Sequence, residues 1–462
     1  MKVIHTLLVI SALTLNAIHS ADEPEPKQAS AEPEEKADPV RPDLVAHEWG
    51  TFTQVIGSNG GTIPWWTTSI EGPASLPKFV QPVFRSFGKT GYRAWTMRME
   101  TPVIYFYADR EADLVVTVDE SRVPFTEVYS NVSNPFLFTS AAIYQDPAPK
   151  GQGTATPASN VPSSLRRWDV QILPPADEIG KHMPLVGKRG DHYRYARDVP
   201  DAWWVVKHPQ KVETPEKAEA TEATEAAEIV PEVEKFIFYR GAGDGSMPNR
   251  IAYVRDESVT FWKSNQPVFL VETDREALKW TRVIPTNSDE ESGTVEFALP
   301  SADSDAQTEV DALAEALTTD LDEAGLTREE AAAMVATWKE AWLGESGLRV
   351  LEILPRKWVD ETLPLDISPK PAEVERVFVA RWELLTPRLE NEVLGIFTKN
   401  ASAEEKRRSL KNLDLGRFGT AVFDRVATIR DQQFRSQYRG MMAELNRQDA
   451  NEETDEVAAA TR

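Results

Sequence analysis

The sequence of 462 residues contains no cysteine. A chain without cysteine has no disulfide framework, no thiolate nucleophile, no thiolate metal site and no cysteine to carry a lipid anchor. Its hydrophobic core alone must therefore stabilise the fold. All thirteen Trp residues lie between Trp49 and Trp382, so the core and any aromatic binding surface are expected in that part of the chain.

Basic residues are scarce relative to acidic ones, with 51 Lys and Arg against 74 Asp and Glu and a net charge of −23. More than half of this excess lies in three segments that are rich in Ala, Glu, Pro and Thr and poor in aromatic residues. That composition predicts a disordered linker at 21–44, a disordered insertion at 209–234 and a disordered tail at 448–462. Nucleic acid binding depends on clustered Lys and Arg, so no nucleic acid partner is expected.

Long apolar runs are also missing. Residues 3–18 are mostly apolar, but His5 and Asn16 interrupt them, and a membrane-spanning helix needs about 20 apolar residues. The pattern predicts a secretory signal peptide at 1–20. We therefore expect an exported protein, periplasmic or extracellular, that has no transmembrane anchor after signal removal.

Strand patterns dominate residues 45–300. The alternation of Val45, His47, Trp49 and Val55 predicts a strand, which turn residues at 58–61 end. The runs 103–107 and 114–118 predict a hairpin, and short alternating runs between 251 and 299 have the spacing of an antiparallel sandwich. The predicted fold class is thus α+β, with an antiparallel β-sandwich-rich body followed by a helical hairpin and a helical C-terminal region.

After a polar linker the hydrophobic period changes from 2 to about 3.6, which predicts an α-rich α+β region at 307–447. Apolar residues from Val310 to Leu321 fall on one helix face. Thr327 and Glu330 form a capping-box pattern that begins a second helix. These two helices make up the predicted hairpin.

Four sequence blocks stand out in the body of the chain. They are HEWGTFT (47–53), RMETPVIYFY (98–107), KFIFYRG (235–241) and LPRKW (354–358). With these blocks the chain, over residues 45–390, resembles an uncharacterised family of exported bacterial proteins. The resemblance implies one shared architecture and export, and it implies no particular activity.

The candidate ligand-binding residues are polar and aromatic residues chosen from these blocks and from the glycine-rich turn that follows the third block. The candidates are His47, Trp49, Arg98, Glu100, Arg240 and Asp244. Neighbouring side chains on a strand point to opposite faces, so His47 and Glu48 are not expected to share one metal or substrate atom. Arg98 and Glu100 share a face, either as a structural ion pair or as a charged pair in a cleft.

Recognised cofactor and metal motifs are absent from the sequence. His182, His192 and His208 lie close together in the chain, but their spacing matches no known ligand pattern. The glycine-rich stretch 241–245 follows a strand pattern, but Pro248 comes where a dinucleotide fingerprint requires a helix. We therefore expect no cofactor and no metal, and the catalytic residues, if any exist, are unknown.

Two functions are compatible with these observations. The first is a non-enzymatic exported protein that binds a ligand, an envelope protein or a glycan, or that has a structural role. The alternative is a hydrolase that acts on polysaccharide or another envelope polymer through a carboxylate/His site. Carboxylates from distant segments cannot be paired from sequence, so whether the protein is an enzyme stays open at this point.

Overall fold

Strand β1 (Val40–Ile56) lies in the middle of the largest sheet. Its β-branched and aromatic residues give it the alternating pattern of a buried strand, as predicted. It begins at Val40, inside the predicted linker. The predicted turn follows, where the Gly57 amide donates to the Gly61 carbonyl at 2.9 Å. Gly60 has a φ of 75°, a backbone conformation that favours glycine.

The computed structural model describes residues 40–64, 81–82, 95–129, 164–184, 193–208, 231–243, 247–274, 277–286, 293–301, 305–413, 415 and 418–429. The predicted signal peptide, most of the acidic linker, residues 209–230 of the insertion and the acidic tail lie outside these ranges. Residues 232–234, which were predicted to belong to the disordered insertion, form a strand instead. All described residues belong to one compact unit that spans Pro39–Arg462.

The strands that follow β1 in the described part of the chain are β2 (Thr62–Ile63), β3 (Gln81–Pro82), β4 (Met97–Tyr107), β5 (Ala112–Asp119), β6 (Phe125–Tyr129), β7 (Leu165–Leu173), β8 (Trp204–Lys207), β9 (Glu232–Glu234), β10 (Ile237–Gly243), β11 (Ile251–Val254), β12 (Ser258–Trp262), β13 (Val268–Thr273), β14 (Leu278–Val283), β15 (Thr294–Ala298), β16 (Gly347–Ile353), β17 (Leu365–Ser368) and β18 (Lys370–Leu384). The α-helices in the same part are α1 (Tyr193–Ala196), α2 (Ala306–Glu323), α3 (Arg328–Lys339), α4 (Arg356–Thr362), α5 (Pro387–Thr398), α6 (Ala403–Asn412) and α7 (Gly419–Ile429).

The central sheet has ten strands in the order β14-β13-β16-β18-β1-β4-β10-β6-β3, with β2 also paired to β1. β1 pairs antiparallel with β4 and parallel with β18, so the sheet is mixed. Strands β16 and β18 come from the region predicted to be α-rich, yet they lie inside this sheet. The change of hydrophobic period near residue 301 therefore does not separate two independent sheets.

Two smaller antiparallel sheets complete the strand structure of the described residues. Five strands pair in the order β17-β5-β7-β8-β9, and three pair in the order β11-β12-β15. The predicted hairpin of β4 and β5 is wrong, because β4 pairs with β1 and β10 whereas β5 pairs with β7 and β17. The polar turn between them carries the chain from one sheet to another.

The helical hairpin is present as predicted. Leu313, Leu317 and Leu321 of α2 are buried. Helix α3 begins with the complete capping box, in which Thr327 accepts from the Glu330 amide and Glu330 accepts from the Thr327 amide. The capping-box pattern and the spacing of apolar residues thus predicted the helical hairpin correctly.

The central sheet is buried on both faces. On one face, Trp168 of the five-stranded sheet packs against Phe125 and Tyr239, with ring centroids 6.4 and 6.0 Å apart. On the other, the sheet packs against α2 and α3, whose core includes Trp338 and Trp342. The fold is mixed α+β with several antiparallel sheets, which confirms the coarse fold class. Within the described residues, no helix is both long and apolar enough to span a bilayer.

Gly50 lies at a point of β1 where neighbouring atoms leave no room for a side chain. A Cβ atom there would stand 2.7 Å from Phe378 Cε1 and 3.1 Å from the Pro102 Cα. We expect Gly50→Ala to lower the free energy of unfolding by about 1–3 kcal/mol through overpacking, measured by urea denaturation. Gly395→Ala on α5 is the matched control, since nothing lies within 4 Å of its added Cβ. Equal stability of the two variants would contradict this prediction.

Candidate functional site

His47 and Glu48 point to opposite faces of the central sheet, as predicted. His47 Nδ1 lies 2.8 Å from Glu330 Oε2 on the face covered by α2 and α3. Glu48 is fully buried on the other face, where it contacts Tyr239 and Arg376. The two side chains therefore belong to different clusters and cannot act on one substrate atom.

The first cluster is centred on Glu330, whose side chain is fully buried. Its Oε1 accepts from the Tyr107 hydroxyl at 2.6 Å, and its Oε2 accepts from the Thr327 amide at 2.8 Å. Burial, and then the Glu330 carboxylate, raise the pKa of Tyr107 well above its usual range, so this phenol stays protonated. The His47 side chain is 12% exposed.

The second cluster joins β1 to β18 and β10. The Arg376 guanidinium bridges Glu48 and Asp360, and its Nη1 donates to Asp360 Oδ1 at 2.9 Å. Although burial alone would lower the pKa of Arg376, the Glu48 carboxylate raises it overall, so this cation is permanently charged. The Tyr239 hydroxyl donates to the remaining oxygen of Glu48. These contacts satisfy Glu48 entirely within the protein.

A third charged group lies on the same sheet face as His47. Arg98 Nη2 is 3.8 Å from Glu100 Oε1, and the Thr53 hydroxyl donates to Glu100 Oε2 at 2.7 Å. Arg240 is also buried. It lies on β10, two residues before Ala242, which pairs with Arg98. The structure thus brings three predicted site residues, Arg98, Glu100 and Arg240, onto adjacent strands.

A further group of buried charged residues lies on β16 and β18. Arg349 Nε and Arg381 Nη2 donate to Glu383 Oε2 at 3.2 and 2.9 Å. Burial raises the pKa of Glu383, but the two guanidinium groups outweigh it and hold that pKa below its usual value. Arg349 also donates to the Trp342 carbonyl at 2.7 Å, which ties the segment after α3 to the sheet. Arg381 and Glu383 share a strand face, but the sequence did not reveal Arg349 as their partner, because Arg349 reaches them only through the pairing of β16 with β18.

The remaining predicted residues do not join these three. Trp49 is fully buried against Tyr105, with ring centroids 6.2 Å apart, and belongs to the core under the helices. His47 is six residues from Thr53 along β1, which separates it from Arg98 by about 20 Å. Asp244 lies outside the described residues.

Metal ligands do not converge in the part of the chain that the structure describes: no group of three or more His, Asp or Glu side chains there could hold an ion. His182 and His208 are both exposed. His208 Nε2 contacts Gln171 Oε1 at 2.8 Å. His192 and Asp191 lie outside the described ranges.

The three-stranded sheet has an exposed face that the sequence analysis did not single out. Tyr253 on β11 and Trp262 on β12 are 54% and 50% exposed, although most large aromatic side chains of the described residues are buried. A signal for Trp262 was present in the sequence. It has the strand parity of Ser258 and Thr260, and thus lies on the polar face, whereas Val259 and Phe261 have the parity of the core.

Comparison with known proteins adds little to this geometry. No family model matches the chain, and no curated protein matches its sequence. Among solved structures, the chain is similar to the Fcho1 Mu homology domain of Danio rerio with bound Eps15 peptide, at 9% identity and a TM-score of 0.25. The similarity covers 76% of this chain and 99% of that one. At this TM-score it carries no argument about fold or function.

Proposed function

We propose that this chain is an exported, non-enzymatic protein that binds a ligand or an envelope partner on its surface. The observation that supports the proposal is that the ionisable residues of the first two sequence blocks lie largely buried and have partners inside the protein. Glu48 pairs with Arg376, Glu100 with Arg98, and His47 with Glu330. These pairs hold the central strands and the helical hairpin together, which is a structural task.

Burial also argues against these residues as a catalytic centre. A general acid or base must reach the proton that it transfers, directly or through one water. The carboxylates of Glu48, Glu100 and Glu330 are buried and already accept hydrogen bonds from the protein. A substrate would have to replace these contacts before it reached them.

Export and a sandwich architecture are parts of the same proposal. The apolar segment at 3–18 supports export. The contacts of Trp168 with Phe125 and Tyr239 support a sandwich of the five-stranded and central sheets, since side chains of two facing sheets interdigitate in this way. Surface loops and faces of such a body are the usual places for binding.

One observation favours hydrolysis as a second candidate. The Nδ1 atom of His47 is held by a buried carboxylate, and this is the arrangement that orients a histidine general base. The imidazole is also partly exposed. An envelope polymer that reached Nε2 would place a reacting group beside it.

One experiment separates the two functions. The purified protein is incubated with insoluble envelope polysaccharide, and both its retention in the pellet and the release of soluble sugar are measured. We expect wild type and His47→Gln to release no sugar above a protein-free blank. Release by wild type that His47→Gln abolishes, at an unchanged Tm, would contradict our proposal and establish the hydrolase.

A further inference from the structure

We infer that the outer face of the three-stranded sheet is a binding platform for a neutral polysaccharide, with Tyr253 and Trp262 as the residues on which sugar rings stack. This inference rests on the proposed binding function and names the chemistry of its ligand.

The strand register places the two aromatic residues next to each other. Tyr253 pairs with Thr260, and Trp262 follows Thr260 by two residues on the same strand. Residues in this diagonal relation lie about 7–8 Å apart, which is within reach of aromatic side chains. A β-bulge between Ile251 and Tyr253 interrupts the register beside this pair. The two large rings share the sheet face on which Thr260 lies, because Tyr253 is directly opposite Thr260 and Trp262 has the same strand parity.

The exposure of these rings is not a consequence of a poorly packed sheet. Val259 and Phe261, which alternate with the outward positions on β12, are completely buried. The remaining outward positions of β12 and β15 are Ser258, Thr260, Thr294, Glu296 and Ala298. The sheet is thus well packed on its inner side, and its outer side is mostly polar apart from the two rings.

The Trp262 indole lies beside Gly293, just before β15. The nearest heavy atom to a Cβ placed on Gly293 is Trp262 Cζ3, at 4.0 Å, which is an ordinary van der Waals distance. The indole therefore lies close to the backbone that leads into β15. A half-exposed indole beside a bare backbone offers a flat apolar surface to a sugar ring.

The charges on this face favour an uncharged ligand. Arg255 Nη1 lies 3.6 Å from Glu296 Oε1, and both side chains are exposed. Ser258 also donates to Glu296. The two charges offset each other, and their polar atoms, with the hydroxyl groups of the sheet, match the hydroxyl groups of a sugar. A net charge of −23 on the whole chain opposes anionic polymers.

A binding assay with the full chain tests the platform. The probes are insoluble cellulose and chitin in co-sedimentation, and soluble neutral glucan and xylan in affinity electrophoresis. We expect at least one of them to bind, and we expect Tyr253→Ala and Trp262→Ala each to weaken that binding about tenfold or more, as is typical of aromatic anchors. Tyr195→Ala on α1 is the matched control, because Tyr195 is an exposed tyrosine on another element; it should bind as wild type does.

Different results contradict the binding platform and the proposed function. Binding that both variants retain, at unchanged Tm, overturns the platform and leaves a binding protein with its site elsewhere. Failure of all four polysaccharides to bind overturns the neutral glycan as ligand. An envelope protein whose affinity falls in both variants would make the same face a protein interface, which also overturns the glycan inference. Catalytic release of sugar dependent on His47 would instead contradict the proposed function.

Discussion

Replacing Glu48 by alanine is expected to lower the free energy of unfolding by about 3–5 kcal/mol, which is a large part of the stability of an ordinary domain. The substitution leaves the Arg376 guanidinium buried without its main counter-charge, and it removes the acceptor of the Tyr239 hydroxyl. The carboxylate of Asp360 remains beside Arg376, but it is partly exposed. Urea denaturation, followed by circular dichroism, measures the loss.

Glu361→Ala is the control for this effect, because Glu361 forms an exposed ion pair with Lys357 on α4. Exposed pairs contribute about 0–1 kcal/mol. A second variant, Glu48→Leu with Arg376→Leu, removes both charges and should recover part of the loss, since an apolar pair leaves no unpaired charge. The explanation would be wrong if Glu48→Ala and Glu361→Ala had the same stability.

The Glu352→Gln variant should gain stability relative to wild type by about 2–3 kcal/mol as the pH rises from 5 to 8. Glu352 lies buried on β16, where Arg250 Nε donates to its Oε1 at 3.2 Å. Burial raises the pKa of Glu352 from 4.5 to about 7, against the opposing effect of Arg250. Between pH 4.5 and about 7, Glu352 is therefore mostly protonated in the folded state and mostly ionised in the unfolded state.

The sign follows from this difference in bound protons. The contribution of Glu352 to stability is fully present below pH 4.5 and is lost as the pH rises through about 7. Glutamine does not titrate, so the difference between variant and wild type isolates this one group from all other carboxylates. It is measured by urea denaturation at several pH values. A difference that does not change with pH would contradict the prediction.

Local sequence signals predicted the elements whose causes are local. Alternation gave β1, and the capping pattern of Thr327 and Glu330 gave the start of α3. The opposite orientation of His47 and Glu48 followed from strand geometry alone. These predictions were correct because each depends on residues that are near one another in the chain.

The partners of these residues could not be predicted, since they come from distant segments. Nothing around His47 indicates Glu330, and nothing around Glu48 indicates Arg376. The β4–β5 hairpin was wrong for a related reason, because a polar turn between two strand patterns does not say whether the strands share a sheet. The exposure of Trp262 was not predicted, although its strand parity with Ser258 and Thr260 places it on the polar face.

The parallel pairing of β1 with β18 affects how the protein folds. Glu48 and Arg376 are 328 positions apart. β1 can therefore pair with β18 only after almost the whole chain has been synthesised. Folding of the central sheet is therefore expected to be slow and to finish only after synthesis of the chain, because contacts between distant residues form late. Until then β1 presents an open edge that other chains can join. A product that stopped short of residue 370 would keep that edge permanently and would be a target for aggregation and proteolysis.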